Sequence, residues 1–186
     1  MASCQKRAVF NCTLSRLYCL HLTRFYELSG ELLRTVSSAK YLGIIVSNNL
    51  GWHNQVCAAA KQANSVLHLL ARNFHGFPKS TRALAYTTLV RPKLEYAATV
   101  WNPHTKEDQD ILERVNRRAS RMTYNKGWRE RNVSPTELLN QLGWHTLSDR
   151  CRQQRLALLY KISNNLIAIP DTRLQEPART TRGHSK

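Results

Sequence analysis

Six apolar residues, Val56, Ala60, Ala63, Leu67, Leu70 and Phe74, recur at alternating steps of four and three. That spacing lays all six on one face of a single helix, and so long an apolar face has to be covered by the rest of the chain. Gly76 and Pro78 stop the helix. The segments C-terminal to that stop read as the cover. A second helix is predicted from about Ser80 to Val90, with Leu84, Thr88 and Leu89 facing inward. Pro92 then either kinks it or starts a new helix through Tyr96, Val100 and Trp101, and Asn102-Pro103 ends that piece.

The next helix carries its own start signal. Thr105 with Asp108 three residues on resembles a capping box, and Glu107, Asp108, Asp110 and Glu113 set negative charge near the positive end of the helix dipole. Ile111, Val115, Ala119 and Met122 form its apolar stripe. Ser134-Pro135-Thr136-Glu137 predicts another capping box with Pro at the first helical position, Leu138, Leu139 and Leu142 on its core side and Gly143 as its stop. A last helix is predicted over about Leu147 to Asn164, burying Leu156, Leu159 and Ile162.

Before the helices the pattern is that of strands. Phe25 to Leu28 and Glu31 to Leu33 flank Ser29-Gly30, a two-residue turn in which glycine supplies a positive φ. Lys40 to Val46 is apolar on alternate and adjacent positions alike, so it reads as one strand covered on both faces and closed by Asn48-Asn49 and Gly51. Residues before about Leu17 show no pattern. The fold class expected is α+β, mainly α: a short β-hairpin or strand element followed by a helical bundle. The units are 1–52, containing the strands; 53–166, helical; and 167–186, a basic tail whose composition predicts disorder.

Charge narrows the function. The 186 residues hold 28 Lys+Arg against 12 Asp+Glu, a net +16. So large a surplus repels itself unless a polyanion is near, which makes RNA or DNA the first partner to consider and an anionic membrane surface the second. No apolar run is long enough to cross a bilayer, and no apolar core follows Met1 to Arg7 as in a secretory signal, so the expectation is an intracellular, unsecreted chain without a membrane partner. Five cysteines at irregular spacing give no disulfide framework.

The basic residues concentrate between Arg114 and Arg131. Arg114, Arg117, Arg118 and Arg121 fall at helical i, i+3, i+4, i+7 spacing, and Lys126 and Arg129 lie beyond them, with Tyr124 and Trp128 interleaved. Arginine suits bidentate phosphate contact, and interleaved aromatic rings offer stacking faces. At about 100° per residue the four arginines fall beside the Ile111–Met122 stripe, where their stems flank a packed seam. The competing reading is an ordinary solvated basic face.

Other chemistries have weaker signals. His53 and Cys57 are four apart on a helix, but no second pair stands at zinc-site spacing, so no metal site is expected. There is no nucleophile elbow, phosphate-binding glycine loop or dinucleotide fingerprint. No two aspartates are adjacent anywhere in the chain, and Glu27 is the first acid of any kind. Catalytic residues are therefore expected to be none, with neither a cofactor nor a small-molecule substrate.

Several strings resemble one family. Val36-Ser37-Ser38-Ala39-Lys40-Tyr41-Leu42-Gly43 is similar to the segment after the catalytic motif in reverse transcriptases of LINE-type (non-LTR) retrotransposons of the jockey and CR1-like kind. So are Ala85 to Pro103, with its Leu89-Val90-Arg91-Pro92-Lys93-Leu94-Glu95-Tyr96, the basic helix Glu113 to Arg121, Leu142-Gly143-Trp144, Leu159-Tyr160-Lys161-Ile162 and Thr181-Arg182-Gly183-His184-Ser185. The resemblance runs collinearly over roughly residues 26–186 and leaves out residues 1–25. It implies a thumb and connector fragment of an RNA-directed DNA polymerase. Tyr41, Leu42 and Gly43 would lie in the primer-grip region at the palm's edge, and residues 53–166 would be the thumb that holds a template–product duplex. The paired aspartates of the family's palm are missing here, so the implied chain has no catalysis of its own, and magnesium belongs only to an intact parent. A separate palm and fingers segment would be a partner. The alternative is a non-catalytic helical interaction or structural fragment, or a remnant without function.

Overall fold

The computed structural model describes residues 8–9, 27–28, 31–32, 34–125 and 134–167. The fold is α+β and mainly α: short strand pairs precede a packed set of helices. The Ser29-Gly30 turn, Lys126, Trp128, Arg129 and the tail beyond Ile167 all lie outside the described residues.

Strand β1 (Ala8–Val9) pairs in parallel with β4 (Arg34–Thr35), and β2 (Glu27–Leu28) pairs antiparallel with β3 (Glu31–Leu32) in the register Glu27 to Leu32. Leu28 thus stands opposite Glu31, and the two runs expected as strands are paired. The single strand expected over Lys40 to Val46 is instead a hairpin. β5 (Ser38–Tyr41) and β6 (Ile44–Ser47) pair antiparallel, Tyr41 opposite Ile44. Leu42 and Gly43 between them have φ of 46° and 85°. Two successive positive φ values match the twist of paired strands and make a two-residue turn, so an apolar Leu42 sits where Asn or Gly is commoner. Ile44 is buried and Val46 packs beside it, both against helices of the same core.

Helix α1 (His53–Asn73) buries Val56, Ala60, Ala63, Leu67 and Leu70, as its spacing predicts, and Phe74 caps it half-buried. It packs against β6 and against the helical segments Tyr86–Val90, Arg91–Glu95 and Lys106–Thr123. The second helix departs from expectation. α2 (Lys79–Ala85) runs through a π-helical segment (Tyr86–Val90) into α3 (Arg91–Glu95). Pro92 has no N–H for the Thr88 carbonyl, and its ring would strike that carbonyl in a regular helix. The wider turn avoids the clash: Arg91 N–H reaches back five residues to Tyr86 O. The hydroxyls of Thr87 and Thr88 both donate to Leu84 O at 2.9 Å. The extra residue rotates the inward face. Arg82, Ala85, Tyr86, Val90 and Leu94 are buried, while Leu84 and Leu89 are exposed at 62% and 50%, and Thr88 is exposed too. The chain breaks at Ala97, in the left-handed region at φ 52°, before α4 (Ala98–Trp101). The Trp101 indole N–H caps the Tyr96 carbonyl freed there, at 2.6 Å. Trp101 is buried, whereas Tyr96 and Val100 are exposed.

The N-cap half of the capping box expected for α5 (Lys106–Thr123) forms: Asp108 N–H donates to Thr105 Oγ1, while the Asp108 carboxylate accepts from the Thr105 hydroxyl at 2.8 Å. That of α6 (Pro135–Gln141) does not. Ser134 makes no side-chain cap, and buried Leu138 and Leu139 place the helix instead. Gly143, at φ 63°, ends it. In α7 (Leu147–Ser163) the expected face is again displaced. Leu147 and Cys151 are buried, Ile162 is partly so, and Leu156 and Leu159 are at least half exposed. α7 meets α4 and α5 through the face of Leu147, Cys151 and Arg150, and Leu156 projects about 140° away from Cys151.

A polar relay crosses this core. Tyr86 Oη donates to Asn116 Oδ1 at 2.9 Å, with both side chains almost fully buried. Asn116 Nδ2 donates to Glu113 Oε1 at 2.9 Å, and Glu113 Oε2 accepts from Leu147 N–H at 3.0 Å. The Tyr86 ring stacks on Trp144 with centroids 4.5 Å apart, and the Arg91 guanidinium lies 5.3 Å from each centroid. Burial holds the Tyr86 hydroxyl well above the usual phenol range, so it stays a donor. Replacing Tyr86 with Phe strands the Asn116 carbonyl oxygen. Urea unfolding should show a loss of about 1–3 kcal/mol, and an unchanged midpoint would show that the relay contributes nothing.

Cys151 gives a pH-dependent check. Burial first, and the negative charge of Glu95 second, push its thiol up to about 11. The folded state therefore favours the protonated thiol. That contribution is whole below pH 9 and is lost as pH rises towards 11. The stability of the wild type relative to Cys151→Ala should fall by roughly 1–2 kcal/mol across that interval in urea titrations. A constant difference would contradict the assigned environment.

Candidate nucleic-acid interface

Packing sets which face of α5 remains for a partner. Its buried residues are Leu112, Val115, Asn116, Ala119, Ser120, Met122 and Thr123, with Asp108 at the start. Ile111 is only half-buried. The buried arc is thus wider than the expected stripe and is extended by Asn116, Ser120 and Thr123 on the side away from the arginines. α5 is gripped by α1 and α2 and also by α6 and α7. Ser120 and Thr123 satisfy their hydroxyls on carbonyls one turn back, at 2.9 Å each.

The four arginines border the buried arc, as expected of stems that flank a seam: Arg114 is exposed, and Arg117, Arg118 and Arg121 are half-buried beside it. Arg114 is exposed, and its Nε donates to Asp110 O at 3.3 Å. Arg117 lies 3.7 Å from Asp110 Oδ1, with both groups well solvated, a pair that contributes well under about 1 kcal/mol. Arg118 is the one turned inward: its Nη1 donates to Asn64 Oδ1 on α1 at 3.0 Å. Arg121 is half-buried in the last turn, where a cation suits the negative end of the helix dipole. Tyr124, expected as a stacking face, lies under Lys79. The ammonium is 2.6 Å from Tyr124 Oη and 3.9 Å from the ring centroid. Lys126, Arg129 and Trp128, expected to extend the stripe, are the members that fall outside the described residues.

Tyr41, Leu42 and Gly43 sit together at the tip of the β5–β6 hairpin, with Tyr41 69% and Leu42 72% exposed. The tip is held by a residue that no sequence pattern singles out. Tyr96, from the irregular end of α3, donates its hydroxyl to Leu42 O at 2.9 Å, and its ring edge stands 3.4 Å from where a Gly43 Cβ would be. Gln55 does the same for the strand behind, its Oε1 accepting from Ile45 N–H at 2.8 Å. Between hairpin tip, α1 and α3 lies an open cleft of about 670 Å³ lined by Gly43, Gln62, Leu69, Leu89, Pro92 and Tyr96. The π-helical turn is what brings Leu89 to this cleft. No pattern of spacing announces such a contact, because it depends on one widened turn and one tyrosine 54 residues away from its acceptor.

A second inter-helix clamp is equally hidden from the sequence. Glu95 on α3 accepts both Arg150 Nε and, at 2.9 Å, Arg150 Nη2 from α7, and also Gln154 Nε2 at 3.2 Å. The bond to Glu95 holds the Arg150 guanidinium even more firmly charged than usual. Arg82 is buried on α2, and its Nε and Nη1 meet no acceptor. Among the described residues no group of three His, Cys, Asp or Glu side chains is arranged to hold a metal ion, and no helix is long and apolar enough to cross a membrane.

Comparison with family models, curated proteins and solved structures finds no match to this chain.

The hairpin tip yields a direct test. Tyr96→Phe removes the bond to Leu42 O and leaves the ring in place. Amide exchange in residues 38–47 should quicken several-fold while α1 and α5 stay protected. Unaltered exchange in the hairpin would show that Tyr96 does not hold it.

Proposed function

We propose that this chain binds nucleic acid through its backbone phosphates, without base specificity, as the thumb and connector part of a LINE-type reverse transcriptase, and that it performs no catalysis by itself. The observation that carries this is the face of α5: Arg114 is exposed and Arg117 and Arg121 stand half-buried next to it, outside the buried arc, in a chain with a net charge of +16. In this reading Arg118 has a mixed role, since it also braces α1 through Asn64. The hairpin tip at Tyr41, Leu42 and Gly43 would approach the end of a primer strand, with Tyr96 as its brace. RNA and DNA backbones are both acceptable ligands, and a separately supplied palm and fingers would provide the paired carboxylates needed to hold two metal ions.

One observation favours a second reading, a protein-interaction fragment. Leu156, Leu159 and Tyr160 form an apolar, exposed face on α7.

A salt titration separates the two. If the arginines contact phosphates, the log–log slope of affinity against salt on duplex DNA should be steep, near about −0.9 for each neutralised phosphate. Replacing Arg114, Arg117, Arg118 and Arg121 by Gln keeps helix propensity and should reduce that slope by about two to four units, equally for unrelated sequences. A control replaces exposed Arg72, Lys106, Arg152 and Arg155 instead. Equal loss per charge in both variants would mean a bulk charge effect and no interface on α5.

A further inference from the structure

Where α1 meets the start of α5, three matched groups stand in line. His53 Nδ1 is 2.6 Å from Asp108 Oδ1, and His53 Nε2 is 3.5 Å from Cys57 Sγ. Asp108 is buried, at 6% exposure, and its other oxygen accepts from the Thr105 hydroxyl at 2.8 Å. Cys57 is exposed, and the His53 side chain is 59% exposed. The order is thiol, imidazole, carboxylate. The two ring nitrogens face different partners, so the three groups form a chain and do not converge on one point as metal ligands must. This is the arrangement of an activated nucleophile: a base in reach of the thiol, and a fixed acceptor behind the base. A carboxylate accepting at Nδ1 keeps the ring proton there and turns the Nε2 lone pair to the thiol.

We propose that Cys57 is a nucleophilic thiol with His53 as its base and Asp108 as the positioning residue, and that its reaction is exchange with an anionic low-molecular-mass disulfide. The Cys57 proton passes to His53 Nε2. The sulfur attacks one sulfur of the disulfide, a new S–S bond forms, and the old one breaks. The departing sulfur leaves with the electron pair and takes the proton from His53. Cys57 is thereby oxidised to a mixed disulfide, and the departing half is reduced to a thiol. The preference for an anion rests on charge. Lys61 lies one turn beyond Cys57 on the same side of α1, in a chain of net +16. The site is independent of the nucleic-acid reading, because none of its groups belongs to the arginine face.

The test uses the full chain, reduced beforehand, with oxidised glutathione as the probe and site-resolved mass spectrometry as the readout. Cys57 should gain one glutathionyl group, while buried Cys151 stays unmodified in the folded protein. His53→Gln should slow the reaction of Cys57 at pH 7 about tenfold or more with the helical signal unchanged. Asp108→Asn keeps a side chain able to bond Thr105 and removes the charge behind the ring. It should slow Cys57 several-fold and shift the pH–rate profile, which loss of packing alone would not do. The titratable groups that face the ring, among the described residues, are Cys57 on its own helix and Asp108 on α5. Cystamine, a cationic disulfide, should react more slowly than oxidised glutathione at low salt. A Cys57 rate within about twofold of wild type in both variants, or a wild-type rate no higher than that of an unfolded peptide with the same thiol, would overturn the proposal. Equal rates for the two disulfides would overturn its anionic part.

Discussion

The bond between Tyr86 and Asn116 is the constraint on which the other contacts depend. Both side chains are buried, so neither polar group has water as an alternative. A tyrosine at this depth fixes which face of the α2–α3 rod points inward. An asparagine fixes the rotation of α5 against it. Through Glu113 the same relay reaches the first amide of α7, and through the stacked Trp144 ring it holds the turn that links α6 to α7. Shifting Tyr86 by one position would break all three junctions together. Apolar contacts could tolerate such a slip; a relay of directional bonds cannot.

That constraint explains where the sequence is legible. α1 can be read almost residue by residue, because one apolar face with regular steps of four and three meets partners along its length. The start of α5 is legible for a local reason, since Thr105 and Asp108 bond within one turn. Leu84 and Leu89 mislead because their spacing is regular and the helix is not. Pro92 forces a π-helical turn, and the face passes from Leu89 to Val90. Leu156 and Leu159 mislead for another reason. Their pattern is a good helix pattern, but the side of α7 that meets the core is the one of Leu147 and Cys151, held by the grip on Arg150 of Glu95, which is distant in sequence. The hairpin at residues 38–47 is hidden because its turn carries Leu42 at a position where turn chemistry usually shows as Asn or Gly.

The candidate interface follows the same division. That the four arginines share a helix stripe is a local fact, visible from spacing. Which of them faces outward is not local. Arg118 is drawn to Asn64 by the packing of α1 on α5, and the buried arc widens through Asn116, Ser120 and Thr123, so that only Arg114 of the four is fully exposed.

The placement of the acids leaves an outward positive field. Glu95 is committed to Arg150 and Gln154, Glu113 to Asn116 and the Leu147 amide, Asp149 to the cap at Thr146, and Asp108 to Thr105 and His53. These carboxylates serve junctions and caps of the fold, whereas Asp110 stands beside Arg114 and Arg117 on the surface of α5. The fold in part separates its charges. Among the described residues these acids serve junctions and caps, while many basic side chains stand at the surface, with Arg82 buried and Arg118 and Arg150 engaged across helices. On α5 both halves of that separation occur in one helix. Its first turn is fixed by a buried carboxylate, and its later turns hold Arg114 exposed and Arg117 and Arg121 half-buried along a rigid rod whose pitch sets the distance between cations. In the reading proposed above, regularly spaced phosphates would meet these cations without altering the helix that presents them.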